Sequence, residues 1–343
     1  MPNIIWIGNP FFSAKLERPG VSLCRLDCKV GEYLDWTGIC SRAAGQGCDM
    51  PPDLVVVADK SQPPFVLDME DFPCLTALYV VDSHVHSWFP AYAQGFDLCL
   101  VSLKDDLPKF GGKRLLPEQI VWCPPFLIPE PIDPDAPEAV EKLYDLLFVG
   151  TIDVAINPER IEFLKKFKCL EPRLEYMRGT YRKLYPQARL VLNHSIAGDL
   201  NFRVFEALGC GAALLTPKIG HGLEELFTDG EDLFLFDQND VPAAAAKARE
   251  LLARPELLQQ VARNGFNKVA AKHRAGSRAE NFLTRLEDWQ SSGLARDLVS
   301  ARLAQSPGIR KKYLKLIYLL LAENWREFPI LREAYLAAAT KSD

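Results

Sequence analysis

The stretch Asp199-Leu-Asn-Phe-Arg-Val-Phe-Glu-Ala-Leu-Gly-Cys-Gly-Ala-Ala-Leu-Leu-Thr216 joins a helical segment to an apolar strand. Residues 201–208 carry apolar side chains at helical spacing, and Gly209-Cys210-Gly211 then ends the helix. Residues 212–215 form a continuous apolar run, which is typical of a strand covered on both faces of its sheet. The stretch therefore predicts one helix–strand step of a parallel α/β layer.

The same alternation extends over most of the chain in both directions. Near-continuous apolar runs predict strands over residues 3–7, 53–58, 75–81, 96–102 and 119–123, and again over 145–149, 173–177, 188–192, 212–215 and 232–236. Long helices are predicted over 158–167, 241–252 and 255–273. The fold class predicted is α/β, with two successive doubly wound, Rossmann-like domains that face each other across a cleft.

Six prolines in the fifteen residues 123–137 mark the boundary between the two domains, because such a segment forms neither a regular helix nor a central strand. We predict an acceptor-side Rossmann-like domain over residues 1–125, a Pro-rich linker over 126–144 and a donor-side Rossmann-like domain over 145–288. Residues 289–343 show helical spacing without a strand signal. They are predicted to form a helical extension that packs on the body, with a protein partner or a dimer contact as the alternative.

Composition excludes several classes of protein. With 343 residues, 48% hydrophobic and 25% charged, the chain has the balance of a globular protein of about two domains. A net charge of −5 argues against nucleic acid as a partner. The longest apolar run, residues 316–322, is too short to span a membrane, and no signal peptide is expected. The nine cysteines contain no C-x-x-C pair and predict reduced thiols in a cytoplasmic protein.

Residues that follow the predicted strands are the candidate binding groups, because ligands of doubly wound folds bind at the carboxyl ends of the strands. Gly8 follows the first strand, but neither G-x-G-x-x-G nor a P-loop motif is present. Glu206 is flanked by apolar residues on its helix. A carboxylate in that position can accept hydrogen bonds from both hydroxyls of a ribose. The N–H groups at His221-Gly222 precede a helix and can bind phosphate, and Arg203 and Arg160 can bind a diphosphate.

The region 145–285 resembles the donor-binding half of GT-B glycosyltransferases, and within them the bacterial branch of CgeB-like spore-maturation proteins. The matching positions are Asn193, Ser195, Asn201, Arg203, Phe205, Glu206, Gly211 and Thr216, together with the 145–150 strand end and Arg160. The resemblance implies transfer of a sugar from a nucleotide-diphosphate donor, such as a UDP-sugar, without a cofactor or a tightly bound metal.

The resemblance also implies individual roles. Glu206 binds the donor ribose, Gly150 and Thr151 lie near the sugar or diphosphate, and the turn from Arg178 to Tyr181 lies against the base. The chain departs from the family at Gly198, where many members carry a sugar-contacting Glu, and in a shortened donor domain. A nucleotide-sugar-binding pseudoenzyme or partner-binding protein, and a nucleotide-sugar epimerase, are therefore alternatives. The acceptor, whether protein, polysaccharide or small molecule, is not identified by the sequence.

A base in the first domain is expected to deprotonate the acceptor if the transfer inverts the anomeric centre. Asp82 and His84 follow a predicted strand, and the pair is the candidate, with the carboxylate orienting the imidazole. A metal site that includes His86 is one alternative, and an N-cap at Asp82 or Ser83 beside surface histidines is the other. Asp133-Pro-Asp135 resembles a metal-binding D-x-D motif but lies in the Pro-rich linker.

Overall fold

Eleven parallel strands form two sheets in the computed structural model, which describes residues 2–128 and 140–341. The strands are β1 (Asn3–Gly8), β2 (Ser22–Leu26), β3 (Leu54–Ala58), β4 (Leu75–Val80), β5 (Leu98–Val101), β6 (Ile120–Trp122), β7 (Tyr144–Val149), β8 (Leu174–Met177), β9 (Ala188–Leu192), β10 (Ala213–Pro217) and β11 (Phe234–Phe236). Every predicted strand is confirmed to within two residues at each end. Strand β2 was not predicted, because its side chains alternate between apolar and polar.

Helices connect these strands and form the end of the chain. They are α1 (Trp36–Gly45), α2 (Phe89–Tyr92), α3 (Leu107–Phe110), α4 (Pro158–Leu170), α5 (Tyr181–Leu184), α6 (Phe202–Gly209), α7 (Leu223–Leu226), α8 (Val241–Leu252), α9 (Pro255–Lys272), α10 (Ala275–Ser291), α11 (Leu294–Ile309), α12 (Lys315–Asn324) and α13 (Pro329–Thr340). A π-helical segment, Arg310–Leu314, lies between α11 and α12.

The chain divides into two compact units. The first unit comprises Met1–Pro124 and Arg278–Asp343, and the second comprises Pro125–Ser277. The predicted linker over 126–144 falls largely on residues 129–139, which lie outside the described residues, as does the Asp133–Asp135 motif.

The first unit is built on a six-stranded sheet of order β2-β1-β3-β4-β5-β6. One face of this sheet shares a core with α1 to α3 and with the C-terminal helices, including Tyr318 and Tyr335. Arg302 of α11 is fully buried, and its guanidinium donates to Asp97 at 2.9 Å and to three backbone carbonyls. The expectation that the C-terminal extension packs on the body is confirmed within this unit.

A disulfide joins Cys24 of β2 to Cys48, which follows α1, with the two Cα atoms 5.9 Å apart. The expectation of reduced thiols throughout is therefore wrong for this pair. Sequence spacing gave no sign of it, because the pairing depends on how α1 packs against β2. The other seven cysteines are free, and five of them are buried.

The second unit is built on a five-stranded sheet of order β11-β10-β9-β7-β8. Helices α4, α8 and α9 share a core with this sheet, for example through Leu164, Ala248 and Val261. Because all five strands are parallel, their carboxyl ends lie along one edge. Most of the donor-site residues predicted from sequence lie on this edge or on the helices that follow it.

Candidate functional site

Arg203 is the residue around which the carboxyl edge of the second sheet is organised. It lies in the first turn of α6, and its Nε donates to the carbonyl of Val149 at the end of β7, at 3.1 Å. Its Nη1 donates to Oδ1 of Asn193 at 2.8 Å and to the carbonyl of His194 at 3.3 Å. The guanidinium also lies over the ring of Phe148, 4.8 Å from its centroid. These contacts hold the guanidinium in one position at the ends of β7 and β9.

The two polar residues predicted after β9 hold this edge together. Asn193 is fully buried, and its Nδ2 donates to Oγ1 of Thr216 at 3.0 Å while its Oδ1 accepts from Arg203. The hydroxyl of Ser195 donates to Asp199 at 2.7 Å. Both side chains are thus hydrogen-bonded within the protein, and the structure gives them a role in positioning the arginine and the loop after β9.

Gln238 is a site residue that the sequence reasoning missed. Its side-chain amide pairs with the backbone of Ser195, accepting from the N–H at 3.2 Å and donating to the carbonyl at 2.7 Å. Gln238 follows β11. The expectation that site residues lie directly after the strands could therefore have identified it from the sequence.

Arg160, in the first turn of α4, brings a second guanidinium to this edge. It is 8% exposed and lies over the same Phe148 ring at 5.6 Å. Its Nη1 donates to the carbonyl of Thr151 at 3.4 Å, and its Nε has no hydrogen-bond partner in the described part of the chain. Burial, followed by repulsion from Arg203, lowers the pKa of Arg160 to about 10.

The two arginines form no ion pair in the described part of the chain. Among residues 2–128 and 140–341, no carboxylate lies within ion-pair distance of Arg160 or Arg203, and Asp199 acts on Arg160 only at longer range. Two partly buried guanidiniums without a counterion form a site for an anion with two acidic groups, such as a diphosphate.

His194 lies beside the two arginines at this edge. It is 4% exposed and packs against the ring of Phe163, with centroids 4.5 Å apart. Burial, Arg160 and Arg203 together lower the pKa of His194 to about 4, so the imidazole is neutral at neutral pH. Its Nδ1 has no hydrogen-bond partner among the described residues.

Glu206 lies one turn after Arg203 on α6. Burial raises the pKa of its carboxyl to about 7, and the charge of Arg203 opposes this rise. No side chain or backbone group of the described residues donates a hydrogen bond to this carboxylate. Oδ1 of Asn201, the N-cap residue of α6, also has no donor among the described residues, but this atom is buried. The carboxylate of Glu206 is therefore the group that can accept hydrogen bonds from the hydroxyls of a ligand.

Gly150 allows Arg203 to approach the end of β7. A Cβ atom at this position would lie 2.8 Å from Nη2 of Arg203 and 3.1 Å from the Phe148 ring. Thr151, the next residue, is exposed. The expectation that both residues lie near the donor sugar or diphosphate stays a prediction.

The remaining predicted donor residues of the second unit lie in loops. Arg178 is exposed and donates to the carbonyl of Ile152 at 3.2 Å, and the hydroxyl of Tyr181 donates to the carbonyl of Ile128. His221 and Gly222 both have positive φ, at 57° and 81°. The helix that follows them covers only four residues, and its first N–H already donates to Gly220. The expectation of a phosphate at this helix start is therefore weakened.

The site residues that the sequence predicted in the first unit are Gly8, Asp82 and His84, and their surroundings differ from the expectation. Gly8 ends β1 with φ at 108°, and a Cβ there would lie 2.1 Å from the carbonyl oxygen of Ala58, so strand packing accounts for this glycine. Asp82 accepts from the hydroxyl of Ser61, whereas His84 is exposed. In the described part of the chain no hydrogen bond joins Asp82 to His84. The structure thus does not show the expected orientation of the imidazole by the carboxylate.

A buried carboxylate that the sequence reasoning missed lies behind Asp82. Asp59 follows β3, is 4% exposed and accepts from the N–H groups of Ser61, Val81 and Asp82 at 2.7–3.0 Å. Burial raises its pKa. It joins the ends of β3 and β4 and fixes the backbone that carries the predicted catalytic residues.

A group of carboxylates close enough to share a metal ion is found among the described residues only at Asp68, Glu70 and Asp71 of the first unit. These carboxylates are ion-paired with Arg310 and Lys341 of the C-terminal helices. The group therefore serves to hold those helices.

No described helix combines the length and the apolar character that crossing a membrane requires.

A family model described as glycosyl transferase-like matches residues 159–284, the part of the chain that contains Arg160, Arg203 and Glu206. No curated protein matches the sequence.

Solved structures with the same fold come from several glycosyltransferases. Sucrose-phosphate synthase from Thermosynechococcus elongatus has a TM-score of 0.57 at 12% identity, over 85% of this chain and 100% of that one. Anabaena HepE in complex with UDP and glucose has a TM-score of 0.58 at 12% identity, over 84% and 100%. The pneumococcal O-GlcNAc transferase GtfA in complex with UDP and GlcNAc has a TM-score of 0.52 at 12% identity, over 73% and 60%.

The predicted GT-B fold is confirmed by these structures. The family model and the fold together confirm the prediction of a glycosyltransferase. The CgeB-like branch stays a prediction.

Proposed function

We propose that this protein transfers a glycosyl residue from a nucleotide-diphosphate sugar to an acceptor, and that it binds the donor at the carboxyl edge of the second unit. In this proposal Arg160 and Arg203 bind the diphosphate, Glu206 accepts hydrogen bonds from the ribose hydroxyls, and the backbone at Gly150 and Thr151 lies beside the phosphates. The chain is proposed to belong to the CgeB-like branch.

The observation that carries the proposal is the pair of guanidiniums on one ring, Phe148, with no carboxylate of the described residues within ion-pair distance. A protein that buries two like charges beside each other loses stability, and an anionic ligand recovers it. Two fixed cations can replace the divalent ion with which many enzymes hold a diphosphate. The same observation supports our proposal that the donor binds without a metal. The UDP-bound state of HepE and GtfA supports a uridine nucleotide as the first donor to test.

The proposal is tested by titrating the protein with UDP, GDP, dTDP and CMP, and with their sugar conjugates, in the presence of EDTA. We expect one nucleotide family to bind and to raise the midpoint of thermal unfolding. Arg203→Met should abolish this binding, whereas Arg254→Met, which removes an exposed arginine of the same unit, should leave it unchanged. Failure of every nucleotide to bind, or equal binding by Arg203→Met, would contradict the donor site.

Transfer is distinguished from binding alone by following release of the free nucleotide diphosphate with and without glycan or protein acceptors. Release that requires an acceptor supports a transferase. Binding without turnover would instead identify a pseudoenzyme, and turnover of the donor alone would identify an epimerase or hydrolase.

We retain Asp82 and His84 as the proposed acceptor-side base. Both follow β4 at the carboxyl edge of the first sheet, and Asp59 fixes their backbone. His84→Ala should lower kcat while the affinity for the donor nucleotide stays the same. His86→Ala is the matched control, and an equal loss in both variants would exclude a specific role for His84.

Seven free thiols against one disulfide favour the cytoplasmic location that the sequence predicts. Labelling of the free thiols in cells, followed by mass spectrometry, tests this location.

A further inference from the structure

The longest apolar run of the sequence, residues 316–322, is only partly buried in the core of the first unit. Ile317, Tyr318 and Leu321 are buried in the first unit. Leu316, Leu319 and Leu320 point away from that core and are 68%, 38% and 56% exposed. The three leucines lie at helical spacing on one face of α12, and we call this face the leucine face. Exposed leucines in such a cluster mark an interaction surface.

Basic residues adjoin the leucine face at the start of α12. Lys311, Lys312 and Lys315 are exposed and lie within the five residues that precede Leu316, the first of the leucines. No carboxylate of the described residues lies within ion-pair distance of these lysines. At the other end of the helix Glu323 is neutralised by Arg326. The face is therefore positive at one end and close to neutral elsewhere, although the whole chain is acidic.

A cavity of about 500 Å³ opens beside these lysines. Lys113, Arg114 and Lys312 line it, with Tyr313, Gln305 and the backbone around Gly308. Among the described residues no acidic side chain lines this cavity. The side chains of Lys113 and Arg114 donate to backbone carbonyls, and neither lies within ion-pair distance of a carboxylate of the described residues, although Asp97 acts on Arg114 at longer range. The cavity can accept a phosphate group that is attached to a larger molecule.

We propose that the first unit docks on the surface of an anionic phospholipid membrane through the leucine face, with a lipid phosphate in the cavity lined by Lys113, Arg114 and Lys312. An amphipathic helix that binds a bilayer inserts large apolar side chains between the acyl chains while lysines remain at the headgroups. Lys312, which lines the cavity, lies on the π-helical segment that continues directly into α12, four residues before Leu316. In this proposal one membrane plane meets both the cavity and the leucine face. A protein partner would not need a cationic cavity next to the apolar face. The inference does not depend on the proposed donor site.

Cosedimentation of the full chain with phospholipid vesicles tests this inference. Vesicles of phosphatidylcholine and phosphatidylglycerol in equal amounts should bind the protein, and vesicles of phosphatidylcholine alone should not. Binding should weaken at high salt, because the charges lie at the surface. Leu316→Ser with Leu320→Ser should lower the affinity by about tenfold or more, since each leucine loses its burial in lipid. Lys113→Gln with Lys312→Gln should lower it about fivefold for each charge removed.

Leu170→Ser, which removes an exposed leucine of the second unit, is the matched control and should bind as the original chain does. Nucleotide binding and the thermal midpoint show that each variant is folded. The inference is overturned if anionic vesicles do not bind the protein or if the double leucine variant binds them equally well. It is also overturned if the protein self-associates without lipid and the double leucine variant is a monomer, because the leucine face is then an interface between copies.

Discussion

Replacing Glu206 with glutamine should stabilise the second unit and weaken donor binding at the same time. The carboxyl has a pKa of about 7 in the folded protein, against an ordinary value of 4.5, because it is partly buried and Arg203 compensates only in part. A pKa difference of about 2.5 corresponds to about 3 kcal/mol. The group binds its proton more tightly in the folded state. Its contribution to stability is therefore fully present below pH 4.5 and is lost as the pH rises through about 7.

Glutamine has the same size and carries no charge, so it avoids this loss. We expect Glu206→Gln to raise the free energy of unfolding by about 3 kcal/mol at pH 8 but by only about 1 kcal/mol at pH 5.5. Glu175→Gln, at an exposed position of β8, should change it by less than about 0.5 kcal/mol at either pH.

Urea unfolding at the two pH values measures this difference. All six tryptophans lie in the first unit, so their fluorescence follows that unit, while far-UV circular dichroism also follows the second. The fluorescence transition serves as an internal control and should not move. A gain in stability that is equal at both pH values, or no gain at all, would refute the burial of an ionised carboxylate at this position.

Donor binding gives the opposite trend with pH. Ribose hydroxyls donate to the ionised carboxylate, so the affinity of the original chain for its nucleotide should fall about tenfold per pH unit below pH 7. Calorimetric titration between pH 5.5 and pH 8 measures this slope. The glutamine variant should bind weakly at every pH, and a slope retained in that variant would assign the titration to another group.

Three further predictions concern packing. Gly150→Ala would place a methyl group 2.8 Å from the guanidinium of Arg203. Nucleotide affinity should therefore fall by more than tenfold, with little change in the free energy of unfolding. An unchanged affinity would show that the arginine is free to move. Gly8→Ala should lower the free energy of unfolding of the first unit by about 3 kcal/mol or more, because the new Cβ would lie 2.1 Å from a carbonyl oxygen of β3. The control is Gly20→Ala, where φ is similar but no atom lies near the new Cβ, and it should lower this free energy by only about 1 kcal/mol. Arg302→Met leaves a buried carboxylate unpaired and should cost about 3–5 kcal/mol by tryptophan fluorescence; a cost below about 1 kcal/mol would mean that water reaches this pair.

The local pattern of the sequence determined the strands and the chemistry of the second unit. Continuous apolar runs are produced by burial on both faces of a sheet, so strands such as β3 and β9 could be predicted without any knowledge of their neighbours. Residues after those strands were expected at one edge, because parallel strands end together. Arg160, Arg203 and Glu206 lie on helices that follow strands, and they were chosen by their side-chain chemistry and by resemblance to a family motif. Their roles in donor binding stay predictions.

Contacts between distant segments were decided only by the tertiary structure. The Cys24–Cys48 disulfide, the pairing of Gln238 with Ser195 and the buried ion pair of Arg302 with Asp97 join residues 24 or more positions apart. Periodicity within a helix or strand carries no information about such pairings, because they depend on how whole elements pack. The same reason explains the leucine face of α12. Its sequence shows an apolar run, and only packing decides which leucines the core covers and which remain exposed.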